Sequence, residues 1–299
     1  SLRGLNADFT QVQLNGMEAL GTSSSAMDSR GTTNLSRSFD FNIFASELFN
    51  QIDVQKSYSA EMDEGGIGGT VKLYTAKPFD YDGFKSVISA QAGDNSLTDD
   101  VSPRLAALVS NTWGDFGALV SLALSKRDTA EQGYNTYRWR PRNAQRSDIS
   151  SLSQADQEAV NSGDLRFSRG SRYSQFNSEQ TRVGATLALQ YRPADTFSIG
   201  LDALYGTLDN DRGEFHLQSR GSSSTALGCT GADYDGARNF CSSLTDIEFN
   251  QNNEVIYSSW ENTALHSESR NQEAKTDISQ LVLNAQWRMT DALTISGLL

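Results

Sequence analysis

From about residue 84 onward, the chain alternates apolar and polar residues over segments of strand length. Residues 197–206 and 281–289 have this period of two. In residues 182–192 the apolar side chains take every second position, namely Val183, Ala185, Leu187, Leu189 and Tyr191. Successive side chains of a strand point to opposite faces, so each segment predicts a strand with one apolar face and one polar face. We predict seven such strands, at 84–93, 104–113, 117–128, 180–192, 196–208, 275–290 and 293–299.

Aromatic residues and connection lengths indicate whether such strands form a soluble sheet or a membrane barrel. The strands of a soluble β-sandwich also alternate apolar and polar residues, so the period of two alone does not distinguish a sandwich from a membrane barrel. The turns at 114–116 and 193–195 are short and have aromatic side chains beside them, whereas the connections at about 129–179 and 209–274 are long and polar. Aromatic girdles, with short turns at one end and long loops at the other, are typical of outer-membrane barrels. The pattern therefore favours transmembrane antiparallel strands with the long loops outside.

The first eighty residues have a different, glycine-rich texture. They predict short strands at 10–16 and 50–57 and a short helix across 41–50. The run GGIGG at 65–69 lacks the third glycine and the Lys-Ser/Thr pair of nucleotide-binding loops, so a bend between closely packed segments is favoured. We therefore predict two domains, 1–80 and 81–299.

Composition excludes several function classes. The 299 residues are only 37% hydrophobic and carry a net charge of −12, which argues against a nucleic-acid binder. No run reaches the about 18 apolar residues of a transmembrane helix, and no signal peptide is visible. Both ends look cut, so we expect a fragment of a longer protein.

The sequence contains no catalytic motif. There is no G-x-S-x-G elbow and no H-E-x-x-H pair, and the two histidines, His216 and His266, lack ligand spacing. We expect no enzyme activity, no cofactor and no metal site.

Two cysteines, Cys229 and Cys241, lie in a polar stretch. A local disulfide is the favoured interpretation and would contribute at most about 3 kcal/mol by closing so short a loop. It would imply an oxidising compartment. A pair of free thiols remains the alternative.

Four segments carry a family resemblance: LRGL at 2–5, VQLNG at 12–16, and the longer stretches 39–61 and 65–79. In order and spacing they resemble the latter part of the plug domain of TonB-dependent outer-membrane receptors. SFDFNIFASEL, EGGIGGTV and TAKPFDYDG are most similar to the group found in Xanthomonas and Caulobacter relatives, many of which are associated with carbohydrate uptake. The resemblance covers residues 1 to about 80.

The resemblance implies a mixed α/β plug followed by the first strands of a 22-stranded antiparallel barrel in the bacterial outer membrane. Such a receptor imports a scarce ligand, here preferably a carbohydrate oligomer, with energy from TonB and its partners ExbB and ExbD. Outer-membrane lipid and lipopolysaccharide would surround the barrel. A ferric siderophore or metal chelate is the alternative ligand. An adhesin or signalling receptor is the alternative class of protein. The presence of a TonB box would favour transport over this alternative.

The resemblance also implies a lock between plug and barrel. Arg3 and Lys56 occupy the positions of basic residues that pair with barrel glutamates in the family, although Lys56 stands where Arg is usual. Those glutamates would lie beyond Leu299.

Two stretches supply candidate ligand contacts. The plug apex should fall within 17–37, whose planar polar groups are Asp28, Arg30, Asn34 and Arg37. In the first long loop, three aromatic side chains could stack on sugar rings, namely Tyr134, Tyr137 and Trp139. A solvated loop explains the first set equally well. A structural role or contact with lipopolysaccharide phosphates competes for the second.

Overall fold

The computed structural model describes residues 2–19, 38–57, 62, 64–98, 100–141, 147–219, 242–263 and 265–299. The chain divides into two compact units. The first unit comprises 1–129, 178–211 and 272–299, and the second unit comprises 130–177 and 212–271. Among the described residues, no helix is both long enough and apolar enough to cross a membrane.

The described elements are mainly strands. In chain order they are β1 (Thr10–Leu14), β2 (Met17–Glu18), β3 (Phe49–Gln55), β4 (Gly69–Thr75), β5 (Lys85–Asp94), β6 (Val101–Trp113), β7 (Phe116–Tyr137), β8 (Arg140–Pro141), α1 (Gln154–Ser162), β9 (Arg166–Phe167), β10 (Gly170–Ala194), β11 (Phe197–Ser219), β12 (Ser243–Phe249), β13 (Val255–Glu261), β14 (Leu265–Thr290) and β15 (Leu293–Leu298). Short 3₁₀ helices lie at Ala7–Phe9, Phe41–Ile43, Ser46–Leu48 and Pro78–Asp80.

The N-terminal residues form a four-stranded sheet in the order β2-β1-β4-β3. Strands β1 and β4 are parallel, and β3 pairs antiparallel with β4. The helix predicted across 41–50 is wrong, because two 3₁₀ turns occupy that stretch and Phe49 already pairs with Thr75. Asp40 caps the first turn by accepting a hydrogen bond from the Asn42 backbone N–H at 2.9 Å.

The glycine-rich run is a close-packed bend, as the sequence indicates. A Cβ atom added to Gly66 would lie 2.8 Å from the Gly69 carbonyl oxygen, and one added to Gly68 would lie 3.1 Å from that of Phe9. Gly69 has a φ of +133°, which residues with side chains rarely adopt. Backbone crowding therefore explains the glycines without a phosphate ligand.

The larger sheet has seven strands in the order β15-β14-β11-β10-β7-β6-β5, which confirms the seven predicted strands. Four of them are much longer than predicted: β7, β10, β11 and β14 have 22, 25, 23 and 26 residues. The loops predicted at 129–179 and 209–274 are therefore too long, because strand residues occupy their ends. Backbone hydrogen bonds continue a ladder where side chains no longer alternate in polarity, so the apolar period underestimates strand length.

Burial in the first unit's part of this sheet runs opposite to that of a soluble protein. Along β10, Arg182 and Thr186 are buried, whereas Leu187 is 37% exposed and Tyr191 is 46% exposed. Along β7, Ser121, Ala123 and Ser125 are buried, whereas the larger apolar residues that alternate with them are exposed, namely Val120, Leu122 and Leu124. One face is covered and carries polar side chains together with small and apolar ones such as Ala123 and Leu204, and the other face is apolar and open.

The N-terminal residues cover the polar face. A hydrophobic cluster within the first unit joins side chains from the small sheet and the 3₁₀ turns to Ala123, Leu204 and Leu208 of the larger sheet. The N-terminal members of the cluster are Val12, Leu14, Phe39, Ile43, Phe44, Ala45, Leu48 and Leu73. Fully burying a Leu or Phe side chain stabilises by about 1.5–3 kcal/mol, so the cluster holds the small sheet and the 3₁₀ turns on this face. We call these described residues before β5 the N-terminal domain.

The second unit contains a conventional apolar core. Strands β12 and β13 form an antiparallel pair, and β8 pairs with β9. Helix α1 begins at the capping residue Ser153, whose hydroxyl accepts from the Asp156 N–H, and ends at Gly163 with a φ of +82°. The buried core consists of Leu152, Val160, Leu165, Phe167, Leu244, Ile247 and Val255.

Candidate functional site

Glycines on the covered face of the larger sheet make room for the N-terminal domain. A Cβ atom added to Gly206 would lie 2.7 Å from Phe44 Cε1, and one added to Gly117 would lie 2.8 Å from Pro78 Cβ. A glycine within a strand often marks such a close approach of another segment. This close approach is visible in the sequence, because these glycines occupy positions on the polar face of alternating strands.

An ion pair ties the end of the N-terminal domain to the sheet. Lys77 Nζ lies 3.3 Å from Asp202 Oδ2, and Asp202 is only 2% exposed. Asn284 Nδ2 donates to the same carboxylate oxygen at 2.9 Å. A buried carboxylate requires such partners, because removing a charge from water costs several kcal/mol.

Neighbouring polar contacts extend this attachment. The Phe79 backbone N–H donates to Gln190 Oε1 at 3.1 Å, and the Arg192 guanidinium lies 4.7 Å from the Phe79 ring centroid. Further along the face, Arg104 Nη1 lies 3.2 Å from Glu47 Oε1. The segment 76–80 is thus fixed to the sheet by charge, hydrogen bonding and ring contact.

The structure places Arg3 and Lys56 on the surface. Both are exposed, and neither forms an ion pair with any residue that the structure describes. Arg3 has a φ of +53° in a turn. Their locking role stays a prediction. Lys77 carries no sequence signal of this role, because its partner lies far along the chain.

A basic cavity opens beside the covered face in the first unit. Its volume is about 540 Å³, and its charged lining consists of Arg104, Lys126, Arg127, Arg182, Asp94 and Asp128. Arg182 Nε donates to the Asn42 carbonyl oxygen at 2.5 Å, which connects this cavity to the N-terminal domain.

An aromatic cleft lies in the second unit. Its volume is about 380 Å³. Aromatic rings and hydroxyls dominate the lining, with Tyr134, Trp139, Phe167, Tyr257 and Trp260 supplying the rings and Thr136, Ser168, Ser171, Ser219, Ser258 and Thr263 the hydroxyls. None of the described lining residues is charged.

The cleft brings together two of the three predicted stacking residues. Tyr134 and Trp139 line it, whereas Tyr137 lies under the Arg172 guanidinium, 5.3 Å from the ring centroid. The indole N–H groups of Trp139 and Trp260 each donate to a hydroxyl at 3.0 Å, those of Thr136 and Ser258 respectively. Tyr257 and Trp260 could not be predicted as members of this cleft, because only folding brings them beside the first loop.

A buried polar network occupies another part of the second unit. His216 Nδ1 lies 2.9 Å from Ser174 Oγ, and Glu214 contacts both His216 and Arg270. The hydrogen bond from Arg270, at 2.6 Å, lowers the pKa of Glu268. Among the described residues, no three His, Cys, Asp or Glu side chains are grouped to hold a metal ion.

Six predicted residues lie outside the described part of the chain. They are the plug-apex candidates Asp28, Arg30, Asn34 and Arg37 and the cysteines Cys229 and Cys241. Ligand contact and disulfide formation stay predictions for them.

Comparisons with known proteins return solved structures only. No protein-family model matches the chain, and no curated protein matches it. The chain is similar to the FrpB iron transporter from Neisseria meningitidis, with 10% identity over 99% of the chain and a TM-score of 0.31. It is also similar to the siderophore receptor PirA from Acinetobacter baumannii, with 13% identity over 99% of the chain and a TM-score of 0.29.

A third similar structure is the pyoverdine outer membrane receptor FpvA from Pseudomonas aeruginosa, with 11% identity over 100% of the chain and a TM-score of 0.22. The chain spans about half the length of these proteins, covering 57%, 53% and 50% of them respectively. At such TM-scores the similarity transfers neither a fold nor a ligand to this chain.

Proposed function

We propose that the chain is part of a TonB-dependent outer-membrane receptor, comprising the latter plug and the first strands of the barrel. The reversed burial of the larger sheet carries this proposal. An open apolar face of this extent is a liability in water, where exposed patches promote association. In a bilayer the same face is the one that contacts lipid.

The dimensions of the exposed apolar band support this setting. It begins beside the stacked rings of Trp113 and Phe116, whose centroids lie 6.2 Å apart, and continues along β7 to Leu124. A transmembrane strand needs about 9–11 residues, and an aromatic girdle marks the interface. Strands of 22 to 26 residues therefore extend well beyond the hydrocarbon layer.

The covered face supports a transport mechanism. In a closed barrel of 22 strands, the N-terminal domain would occlude the lumen, and the contacts Lys77–Asp202 and Arg104–Glu47 would hold it there. TonB, coupled to ExbB and ExbD, would displace the plug and admit the ligand. No bond of the ligand is broken, so the protein acts as a transporter and not as an enzyme.

The preferred ligand is a carbohydrate oligomer, as in many members of the Xanthomonas and Caulobacter group. The uncharged aromatic cleft supports it, because rings and hydroxyls suit the apolar faces and polar edges of sugars. The alternative is a ferric siderophore or other chelate, and the similar structures include an iron transporter and a siderophore receptor. A receptor that adheres or signals without transport remains the other class.

Uptake in matched strains tests the transport proposal. Cells that express the full-length receptor should take up labelled oligosaccharide only when TonB is present, and deletion of the receptor should abolish uptake. The same strains with labelled ferric chelate distinguish the two ligand classes. Binding to cells without TonB-dependent uptake of either label would favour the adhesin or signalling class.

Cysteine labelling tests the membrane topology. Glu158→Cys lies in the exposed face of α1, and Asp115→Cys lies in a short turn. A membrane-impermeant maleimide should label Glu158→Cys on intact cells and should label Asp115→Cys only after permeabilisation. The unmodified receptor is the control for Cys229 and Cys241. Equal labelling of both variants on intact cells would contradict the topology.

A further inference from the structure

The basic cavity of the first unit has charges that its own contacts do not neutralise. Four cationic and two anionic side chains line it. Lys126 has two carboxylate partners, Asp128 at 3.7 Å and Glu179 at 2.9 Å. Arg104 pairs with Glu47 at 3.2 Å. These two cations are therefore compensated within the protein.

The charges of the other two cations in the lining, Arg127 and Arg182, are not compensated by an ion pair with any described residue. Arg182 is buried, and its hydrogen bonds go to neutral acceptors, the Asn42 carbonyl oxygen and Gln180 Oε1, each at 2.5 Å. Arg127 forms no hydrogen bond or ion pair with any residue that the structure describes. Arg104 and Arg127 are near enough to repel the charge of Arg182, and Asp40 offsets part of this repulsion.

A buried hydroxyl lies at the same cavity. Ser125 lines it, is 7% exposed, and has a hydroxyl oxygen without a hydrogen-bond partner among the described residues. A buried polar atom without a partner costs about 1–3 kcal/mol. Asp94 also lines the cavity without an ion pair to any described residue, so it offsets part of the charge of the two guanidinium groups. The forked donors of Arg127 and Arg182 beside an unpaired hydroxyl nevertheless suit an incoming group that accepts hydrogen bonds and carries negative charge.

We propose that this cavity binds an anionic group of the transported ligand, with Arg127, Arg182 and Ser125 as donors. The planar fork of arginine matches a carboxylate in two parallel hydrogen bonds. The proposal rests on the proposed transport function and narrows the ligand to two sources of this chemistry. One is an acidic oligosaccharide such as a uronic-acid oligomer, and the other is a ferric carboxylate chelate.

Direct binding to the purified full-length receptor tests the site without requiring transport. The probes are an oligogalacturonate, its fully methyl-esterified form and ferric citrate. Arg127→Gln is the main variant, because Arg127 is exposed and holds no other described residue. Arg288→Gln is the matched control, since Arg288 is an exposed strand arginine that does not line this cavity. Ser125→Ala removes the unpaired hydroxyl and provides an independent second variant.

Arg127→Gln should weaken binding of the anionic probe about tenfold, because a hydrogen bond to a charged group is worth about one to two decades of affinity. Ser125→Ala should weaken it severalfold, and Arg288→Gln should leave it unchanged. Added salt should reduce binding to the unmodified receptor, since partly exposed charges are screened. Dependence on Arg127 with oligogalacturonate identifies the acidic sugar, and the same dependence with ferric citrate identifies the chelate.

Three results would overturn the proposal: no binding of either anion to the unmodified receptor, equal affinity of the Arg127→Gln receptor for the anion that binds, or, where oligogalacturonate binds, equal binding of its methyl ester. Its failure is distinguishable from failure of the transport function. Suppose that a neutral sugar is taken up in a TonB-dependent way and that the Arg127→Gln receptor takes it up at the same rate as the unmodified receptor. The anion site would then be rejected, and the transport function would be retained. Arg127-dependent binding without TonB-dependent uptake would retain the site and remove the transporter.

Discussion

The apolar core around α1, β12 and β13 in the second unit and the larger sheet have opposite patterns of burial. In the second unit the buried core is apolar, with Leu244, Val160 and Phe167 enclosed. In the first unit's part of the larger sheet, Arg182 and Thr186 are buried, and Leu187 is exposed. The hydrophobic effect depends on the surrounding solvent, and contact with lipid, as we propose, would account for an open apolar face. We therefore interpret the contrast as two environments for one chain.

The largest expected effect is the loss of a buried side chain from the second unit. Leu244→Ala removes a fully buried side chain, and we expect it to destabilise that core by about 2–5 kcal/mol. Hydrogen exchange of the full-length receptor should show faster exchange in α1 and β12. The strands that carry the exposed apolar band should keep their protection. Uniform loss of protection would mean that the two units do not differ in what stabilises them.

A charge on the open face of the first unit should have a comparable effect through a different cause. Leu187→Arg places a cation where we propose lipid contact, at a cost of about 2–4 kcal/mol near the bilayer midplane. The fraction of heat-modifiable, folded receptor in the outer membrane should fall.

Two substitutions serve as controls for that result. Leu187→Met should assemble normally. Leu217 is also an exposed leucine, but it lies about twenty residues from the start of β11 and therefore beyond the proposed hydrocarbon layer. Leu217→Arg should change the free energy of unfolding by no more than about 0.5 kcal/mol. Normal assembly of the Leu187→Arg receptor would contradict the proposal that Leu187 contacts lipid.

An intermediate effect is expected where the N-terminal domain meets the sheet. Asp202→Asn leaves Lys77 without its anionic partner, at a cost of about 1–3 kcal/mol. The proposed plug should then be held less firmly, and passive entry of a large antibiotic such as vancomycin should increase. Asp195→Asn, in an exposed turn, is the matched control. Unchanged permeability of Asp202→Asn would show that this ion pair does not hold the plug.

The smallest effect concerns pH. The Arg270 hydrogen bond lowers the pKa of Glu268 in the folded chain, so the ionised form favours folding. This contribution is present above the ordinary carboxyl pKa of about 4.3 and is lost as the pH falls through the lower folded value. Glu268→Gln should therefore reduce the acid dependence of unfolding in the second unit, measured by tryptophan fluorescence between pH 6 and 3. An unchanged acid profile would contradict this assignment.

Much of the fold follows from local sequence. The period of two in residues 182–192 predicted the strand and the division of its side chains between two faces. The seven strands were found because turn residues and aromatic side chains bracket them. The bend at 65–69 was found because only glycine tolerates such crowding.

The candidate sites depended on contacts between distant segments. Tyr134 and Trp139 were found as exposed aromatic side chains, but Trp260 joins their cleft only through pairing of β12 with β13. The uncompensated charge of Arg127 could not be inferred from sequence, because it depends on which carboxylates the neighbouring cations contact.

The sequence by itself determined the alternation, the seven strands of the larger sheet and the glycine-rich bend, because each rests on interactions between residues near one another in the chain. Only the tertiary structure decided which face of the sheet is covered, since the same alternation serves either arrangement. It also decided where the strands end and that Lys77 meets Asp202, because ladder hydrogen bonds and buried ion pairs join segments whose separation leaves no periodic signal.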